Sequence, residues 1–555
     1  MKGCVKMPRR KDEKPLYDYN IYQISIDKAD EFKTFLEERQ FEEIPLKQEL
    51  AKNTDGFTFT LMFCDKDNKK GSPWVRLLSS CSEWDLTQQL KIYGAALICT
   101  NYKTCFVVSY GNAHFYVSNY CDYNFGISVA ERLVNLESVR AQQNVSHGSK
   151  LSKMHMDYFG GAFLSYRSGE IPTYIRGKSI NVDAWGETIN CGTSAQFKWE
   201  EKPLEIGKRL RNLEEALKES SSITLPRLTQ LDDEQDSDKI ESLFRQLAKA
   251  IDEYNETKQK NSFVNVPSFY MVGTKIIQND SIRFKLSCNH KRTQYDGELN
   301  ISAIKKFLNE KQLNVYDVIE DINIAIEYGN DQWTNSKPLI DYLEFITAEN
   351  FCLRNGKWCS FNSAYVDRIL QDASKIPFTN HIDDNLKFDK TALVSFAKSK
   401  GIYVDSDKQP YETYYNEFLA QQIGAICLHP QTITADINAD GRYKFEICDL
   451  YLDGVMYFVK IGAPADFAYA VDQAMLTLDK IENNHGIIEL PTGDSVEPRE
   501  FRLVLLFDNR KTIVEKWGDI FSINFLIHMT EVKQRLNSTD IKLHVDFCYS
   551  GSDLL

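Results

Sequence analysis

Long apolar runs are missing from this chain of 555 residues. Stretches such as Gly94–Cys99 and Val455–Val459 fall far short of the roughly 20 residues a membrane-crossing helix needs. Paired cysteine motifs are missing too. The 13 cysteines are odd in number and include no CxxC pair, so neither a disulfide framework nor a structural zinc site is indicated. Cys99, Cys105, Cys448 and Cys548 sit inside strand-like apolar runs, where reduced thiols behave as small hydrophobes. GxGxxG, GxSxG and HExxH do not occur, which removes support for a dinucleotide fold, an α/β-hydrolase or a zinc protease of that type. Arg176-Gly177-Lys178-Ser179 ends like a phosphate-binding loop, but Pro172 stands where its first glycine is needed. No apolar stretch follows the basic start MKGCVKMPRRKDEKP, so it does not read as a secretory signal, and a cytoplasmic location is expected. Internal repeats and low-complexity tracts are absent.

Lys and Arg total 66 against 79 Asp and Glu, a net charge of −13. That balance argues against a protein that simply coats nucleic acid, although a local basic groove remains compatible with it. With 43% hydrophobic and 12% aromatic residues the chain can fill ordinary cores, and its length suits several domains. The expected organisation is a tail over 1–16, a mixed α/β domain over 17–200, a helical linker over 201–262, a middle α/β region over 263–400 and a last domain over 401–555. In the first domain, Tyr19–Ile26 alternates like a strand and Lys28–Glu38 has helical spacing. Thr104–Tyr110 and His114–Val117 read as strands joined at Gly111-Asn112, and Phe125–Leu136 reads as a helix or a transition between strand and helix. Between Arg140 and Lys178 there are six basic residues against Asp157 and Glu170. Lys150, Lys153, Arg167, Arg176 and Lys178 are candidates for phosphate contact, with Tyr158, Phe159 and Tyr166 available to stack on bases. His147 and His155 are weaker candidates as ligands or a base. Asn355-Gly356 marks a hairpin, and Trp358 and Trp74 are expected in cores.

The last block carries the clearest chemical signal. It reads helix (Tyr411–Ile426), strand (Thr432–Ile437), strand (Tyr443–Leu450), strand (Val455–Ile461), helix (Pro464–Ile481), strand (Phe501–Phe507). This is the α-β-β-β-α-β order of the PD-(D/E)XK restriction-endonuclease-like core, so the expected fold class is mixed α+β with such a core at the end. That core sets an acid on its second strand, then an acid and a lysine two residues apart on its third. Carboxylates hold Mg²⁺ or Mn²⁺, the ion neutralises the scissile phosphate, and the lysine serves the attacking water. Asp449, Glu446 and Lys460 stand at matching places. A two-residue turn at Asp453-Gly454 sets Asp449 opposite Phe458, so that 449, 458 and 460 share a face, whereas a three-residue turn sets Glu446 opposite Lys460. Phe458 occupies the place of the third-strand acid, and Glu417 on the preceding helix is a candidate to supply the missing carboxylate. Gln473 on the following helix is a candidate for contact with phosphate or water. The non-catalytic alternative is an Asp449–Lys460 ion pair.

Further landmarks are Pro73-Trp74-Val75, SYGNAHF, FGISVAERLVN, NVSHGSKLSKM, NGKWCSFN, YETYYNE and FEICDLYLDGVMYFVKI followed by DQA. Through them nearly the whole chain resembles a sporadically distributed bacterial family of unknown function found in mobile and phage-defence islands. The resemblance places Glu446, Cys448, Asp449, Lys460 and Gln473 on family positions and implies a histidine at the position of Phe458. The expected function is a phage-defence protein that binds DNA or RNA and cleaves it with Mg²⁺ or Mn²⁺. Asp449, Glu417 and Glu446 would hold metal, with Lys460 and Gln473 in support. The alternatives are a catalytically degenerate sensing module and a self-assembling scaffold.

Overall fold

The computed structural model describes residues 15–47, 55–67, 91–147, 151–221, 223–253, 264–265, 269–272, 275–278, 283–296, 299–327, 333, 336–347, 349–354, 356–381, 389–405, 410–431, 433–437, 441–507, 512–520 and 522–549. The architecture is mixed α+β, as expected. Among the described residues no helix is long and apolar enough to cross a membrane.

The first body is a ten-stranded antiparallel sheet. Its strands are β1 (Tyr17–Ile24), β2 (Glu42–Ile44), β3 (Thr58–Asp67), β4 (Lys91–Thr100), β5 (Cys105–Gly111), β6 (Val134–His147), β7 (Leu151–Ala162), β8 (Glu170–Ser179), β9 (Thr188–Cys191) and β10 (Ala195–Trp199). They run in the order 2-3-4-5-1-10-9-8-6-7. Period-two alternation feeds a core on each face. Phe106 and Val108 join Tyr19 and Ile21 beneath α2 (Phe125–Leu133) and α3 (Gly207–Lys218). Cys105 and Val107 join Phe32 and Leu36 of α1 (Ala29–Glu38). Gly126 brings α2 onto the sheet, because a Cβ there would run into the Gly192 carbonyl.

One expectation changes here. His114–Val117 is a helical turn instead of a strand. Ala113, His114 and Val117 are buried, and His114 Nδ1 lies 2.7 Å from the Gly111 carbonyl oxygen, so the chain turns back at once into the core. The basic region from Arg140 to Lys178 is largely long paired strand, with β7 at the sheet edge.

The middle body has a four-stranded sheet and a five-stranded one. Helices α4 (Ser237–Glu253) and α5 (Ile301–Lys311) share a core with Phe284, Leu286 and Ile324. DDEQDSD opens α4, with Asp232 Oδ1 accepting from the Glu234 and Gln235 amides. Trp358 is buried between Phe244 and Phe345, as expected, whereas Trp74 lies outside the described residues.

The last body is a six-stranded mixed sheet. β11 (Phe378–His381), β12 (Ile426–Cys427), β13 (Leu450–Leu452), β14 (Val455–Gly462), β15 (Glu500–Phe507) and β16 (Lys542–Tyr549) lie in the order 11-16-15-14-13-12. β11, β16, β15 and β14 are parallel, while β13 and β12 are antiparallel additions. One face is covered by α6 (Ser363–Ala373), α9 (Pro464–Asn483) and α10 (Ile523–Leu536), the other by α7 (Lys390–Lys400) and α8 (Tyr411–Ile423). From α8 to β15 the order is helix, three antiparallel strands, helix, parallel strand. Two expected strands are displaced. Ile433–Ile437 and Gly441–Phe445 pair only with each other, as a hairpin outside the sheet. The first strand of the trio is Ile426–Cys427, and its ladder stops where the Leu428 and His429 amides converge on the one Asp449 carbonyl.

Candidate metal centre

The centre forms where β13 parts from β14. Leu452 pairs with Val455 across a two-residue turn, and Asp453 and Gly454 have φ of 45° and 87°. Both central residues are left-handed, as a type I′ hairpin requires. The ladder holds from Leu450–Tyr457 to this turn and is then disturbed at Asp449. The Asp449 amide donates to the Tyr457 carbonyl at 2.9 Å, and its carboxylate accepts the Val459 N–H at 2.8 Å. A side chain thus takes over from a backbone carbonyl, and the strand ahead of it is free to depart. α9 holds that departing segment: Gln473 Nε2 donates to the Glu446 carbonyl at 3.3 Å and Thr477 Oγ1 to the Ile447 carbonyl at 2.5 Å.

His429 enters from the other side, just beyond β12 and before a cis bond to Pro430. The Leu428 and His429 amides both donate to the Asp449 carbonyl, at 2.8 and 3.2 Å. His429 Nδ1 lies 3.2 Å from Glu446 Oε2 and 3.4 Å from Asp449 Oδ1, and Nε2 lies 3.2 Å from Thr413 Oγ1 on α8. The potential ligand atoms of His429, Glu446 and Asp449 lie within 4.8 Å of one another. Burial opposes an imidazolium here, but the Asp449 and Glu446 carboxylates outweigh it and push His429 up to about 10. Burial also raises Asp449, and its bonds from His429 and Val459 offset part of that rise. Asn416 of α8 is fully buried, points Nδ2 at Asp449 Oδ1 over 3.4 Å, and leaves Oδ1 without a donor among the described residues.

Lys460 lies at the rim. Its Nζ is 3.0 Å from Glu412 Oε2 of α8 and 4.8 Å from the centre of the Tyr469 ring on α9. Burial first, and then the Glu446, Asp449, Glu412 and Asp472 carboxylates, push the Tyr469 hydroxyl up to about 12.

Several expected residues meet here and others do not. Asp449 and Glu446 come together, with His429, whereas the ion partner of Lys460 is Glu412, not Asp449. Phe458 is fully buried against Phe501, with ring centres 5.2 Å apart in the core beneath α9, while the Asp449 carboxylate fills the gap between strands; the disturbed ladder separates the face they were expected to share. Glu417 hydrogen-bonds the Cys427 thiol and stands outside the triad. Gln473 holds backbone and does not face the carboxylates through its amide nitrogen. In the first body, Arg167, Arg176 and Lys178 are exposed, Phe159 is fully exposed, and Tyr158 and Tyr166 are half-buried. Lys153 is half-buried, and Lys150 lies outside the described residues. His155 pairs with Asp157 at 3.6 Å and stacks on Tyr174, and His147 ends β6. Of the 11 described cysteines ten are buried, and Cys427 is half-buried.

The sequence reading missed His429, Glu412 and Asn416. The signal for His429 was a His-Pro step directly after a short apolar run, the usual end of a sheet strand. A model of one protein family, a family of unknown function (DUF6119), matches residues 19–483. No curated protein and no solved structure matches the chain.

Proposed function

We propose, for a chain that belongs to this family of unknown function, that His429, Glu446 and Asp449 hold a divalent cation and that the last domain hydrolyses phosphodiester bonds in nucleic acid. The observation that carries this reading is the convergence of three ligand atoms within 4.8 Å at the parting of two strands in an α-β-β-β-α-β sheet. The buried, donorless Asn416 Oδ1 beside Asp449 supports it, since a hard cation or its water satisfies such an oxygen. One imidazole and two carboxylates suit Mn²⁺ better than Mg²⁺, which prefers an all-oxygen shell. The ion would stabilise charge on the scissile phosphate and acidify the attacking water.

The chain's own groups prepare the rest. Glu412 and the Tyr469 ring hold the Lys460 ammonium at the rim, where it orients a phosphate oxygen or a water. Gln473 and Thr477 position Glu446 and Asp449 through the backbone. Exposed Arg167, Arg176 and Lys178 support a nucleic-acid substrate. The resemblance to a family of mobile and defence islands supports a role against phage.

The test is cleavage of single- and double-stranded DNA and RNA by the full chain with Mn²⁺ or Mg²⁺, run beside Glu446→Gln and Lys460→Met. The expected result is Mn²⁺-dependent cleavage reduced at least about 100-fold by either substitution. Salt-sensitive binding with no cleavage under any metal would overturn hydrolysis and leave a recognition module.

A further inference from the structure

A second cavity lies between the first sheet and the five-stranded sheet, away from the metal centre's residues. Lys153 of β7, Arg227 and Arg354 reach it, and Asp122 is the carboxylate in its lining. In a chain of net charge −13, three cations against one anion is a local inversion.

The two arginines are held differently from surface arginines. Arg227 is anchored by Nη1 to Ser128 Oγ at 3.0 Å and Glu131 Oε2 at 3.5 Å, and its amide donates to Asn362 Oδ1 at 3.0 Å. Its other guanidinium N–H groups have no partner among the described residues. Arg354 ends a strand at a tight hairpin, paired with Lys357, and is half-buried. Its guanidinium makes no hydrogen bond or ion pair among the described residues. A half-buried cation without an internal counter-ion costs free energy, and a fold recovers that cost when an external anion binds. Glu131 and Asp122 offset Arg227, which leaves Arg354 as the arginine of the pair without a counter-ion among the described residues; burial pushes the Cys359 thiol up to about 12 and also raises the Tyr123 hydroxyl, so neither supplies a charge.

Guanidinium forks match phosphate oxygens in pairs. The lining combines an apolar floor of Ile171, Pro172 and Leu228, with Tyr123 beside it, and the polar side chains of Thr173, Thr193 and Gln230. Such a floor suits a ring-bearing body joined to the phosphate. We propose that this cavity is a binding site for a small phosphorylated ligand of the nucleotide class, with Arg354 and Arg227 taking the phosphate.

The test is calorimetric titration of the full chain with inorganic phosphate, AMP and ATP, repeated on Arg354→Gln. Arg354 is outside the metal centre, so Mn²⁺ binding in that variant reports that the fold is intact. The expected result is saturable binding of AMP or ATP, tighter than that of inorganic phosphate, and weakened at least about tenfold in Arg354→Gln with Mn²⁺ binding retained. Absence of binding to all three probes at millimolar concentration would overturn the site. Unchanged nucleotide affinity in Arg354→Gln would overturn the role of Arg354, and equal affinity for phosphate and nucleotide would overturn the ring-bearing class.

Discussion

Replacing Asp449 separates its structural duty from its chemical one. The carboxylate is buried and accepts the Val459 N–H at 2.8 Å where the ladder has opened. Asp449→Ala removes that acceptor. An unpaired buried amide costs about 1–3 kcal/mol, and losing a hydrogen bond to a charged group costs about 1.5–3 kcal/mol. Relief from burying a carboxylate, whose protonation burial already favours, offsets part of this. A net loss of about 3 kcal/mol is expected. Asp449→Asn keeps an oxygen for the amide, and Glu446 still pairs with His429, so about 1 kcal/mol or less is expected. The assay is peptide-resolved hydrogen–deuterium exchange over Val455–Gly462. At about 1.36 kcal/mol per decade, the alanine variant should exchange there roughly 100-fold faster than wild type, and the asparagine variant less than about tenfold faster. Both variants should lose Mn²⁺ binding. Equal exchange in the two variants would refute the reasoning, because the amide bond would then not be what Asp449 supplies to the fold.

Phe458 is a core residue, so Phe458→Ala should destabilise the last domain by about 3–5 kcal/mol, read from denaturant midpoints; a cost below about 1 kcal/mol would contradict its packing against Phe501. His528 of α10 is buried with Nδ1 2.7 Å from Asp472 Oδ1 of α9, and Asp472 raises its protonation against the opposing effect of burial. Because the folded-state value lies above the ordinary one, this stabilisation is complete below about pH 6.5 and declines as pH rises toward the folded value. The midpoint difference between wild type and His528→Asn should therefore shrink from pH 6 to pH 8, and a constant difference would refute the ion pair. Metal binding at His429 must displace a proton held by two carboxylates, so Mn²⁺ affinity should rise with pH below about 10. An affinity independent of pH from 6 to 8 would remove His429 from the ligand set.

The sequence was most legible where local chemistry dictates the backbone. Asp453-Gly454 set the hairpin and its register because two left-handed residues in succession favour few other turns. The strand through Lys460, the helix after it and the strand ending at Phe507 were legible because both faces of the sheet are buried and these segments are mostly apolar. The centre itself was only half legible. Asp449 and Glu446 lie in a segment with a recognisable strand-like pattern, which in the structure is the step between Gly441–Phe445 and Leu450–Leu452, but their partner His429 is 20 residues before Asp449, across a hairpin that resembled two sheet strands. Alternation alone does not say whether such a pair joins the main sheet. Glu412 was missed beside Glu417 because both lie on α8 and periodicity does not reveal which turn overhangs the sheet edge. The basic region was visible as charge but not as three long strands, since Gly and Ser interrupt its pattern.

The most direct test is calorimetric titration of Mn²⁺ into the full chain, beside His429→Ala and Glu446→Gln. The account predicts one saturable site per chain in the wild type and none in either variant. No binding by the wild type, or a site that survives both substitutions, would contradict it.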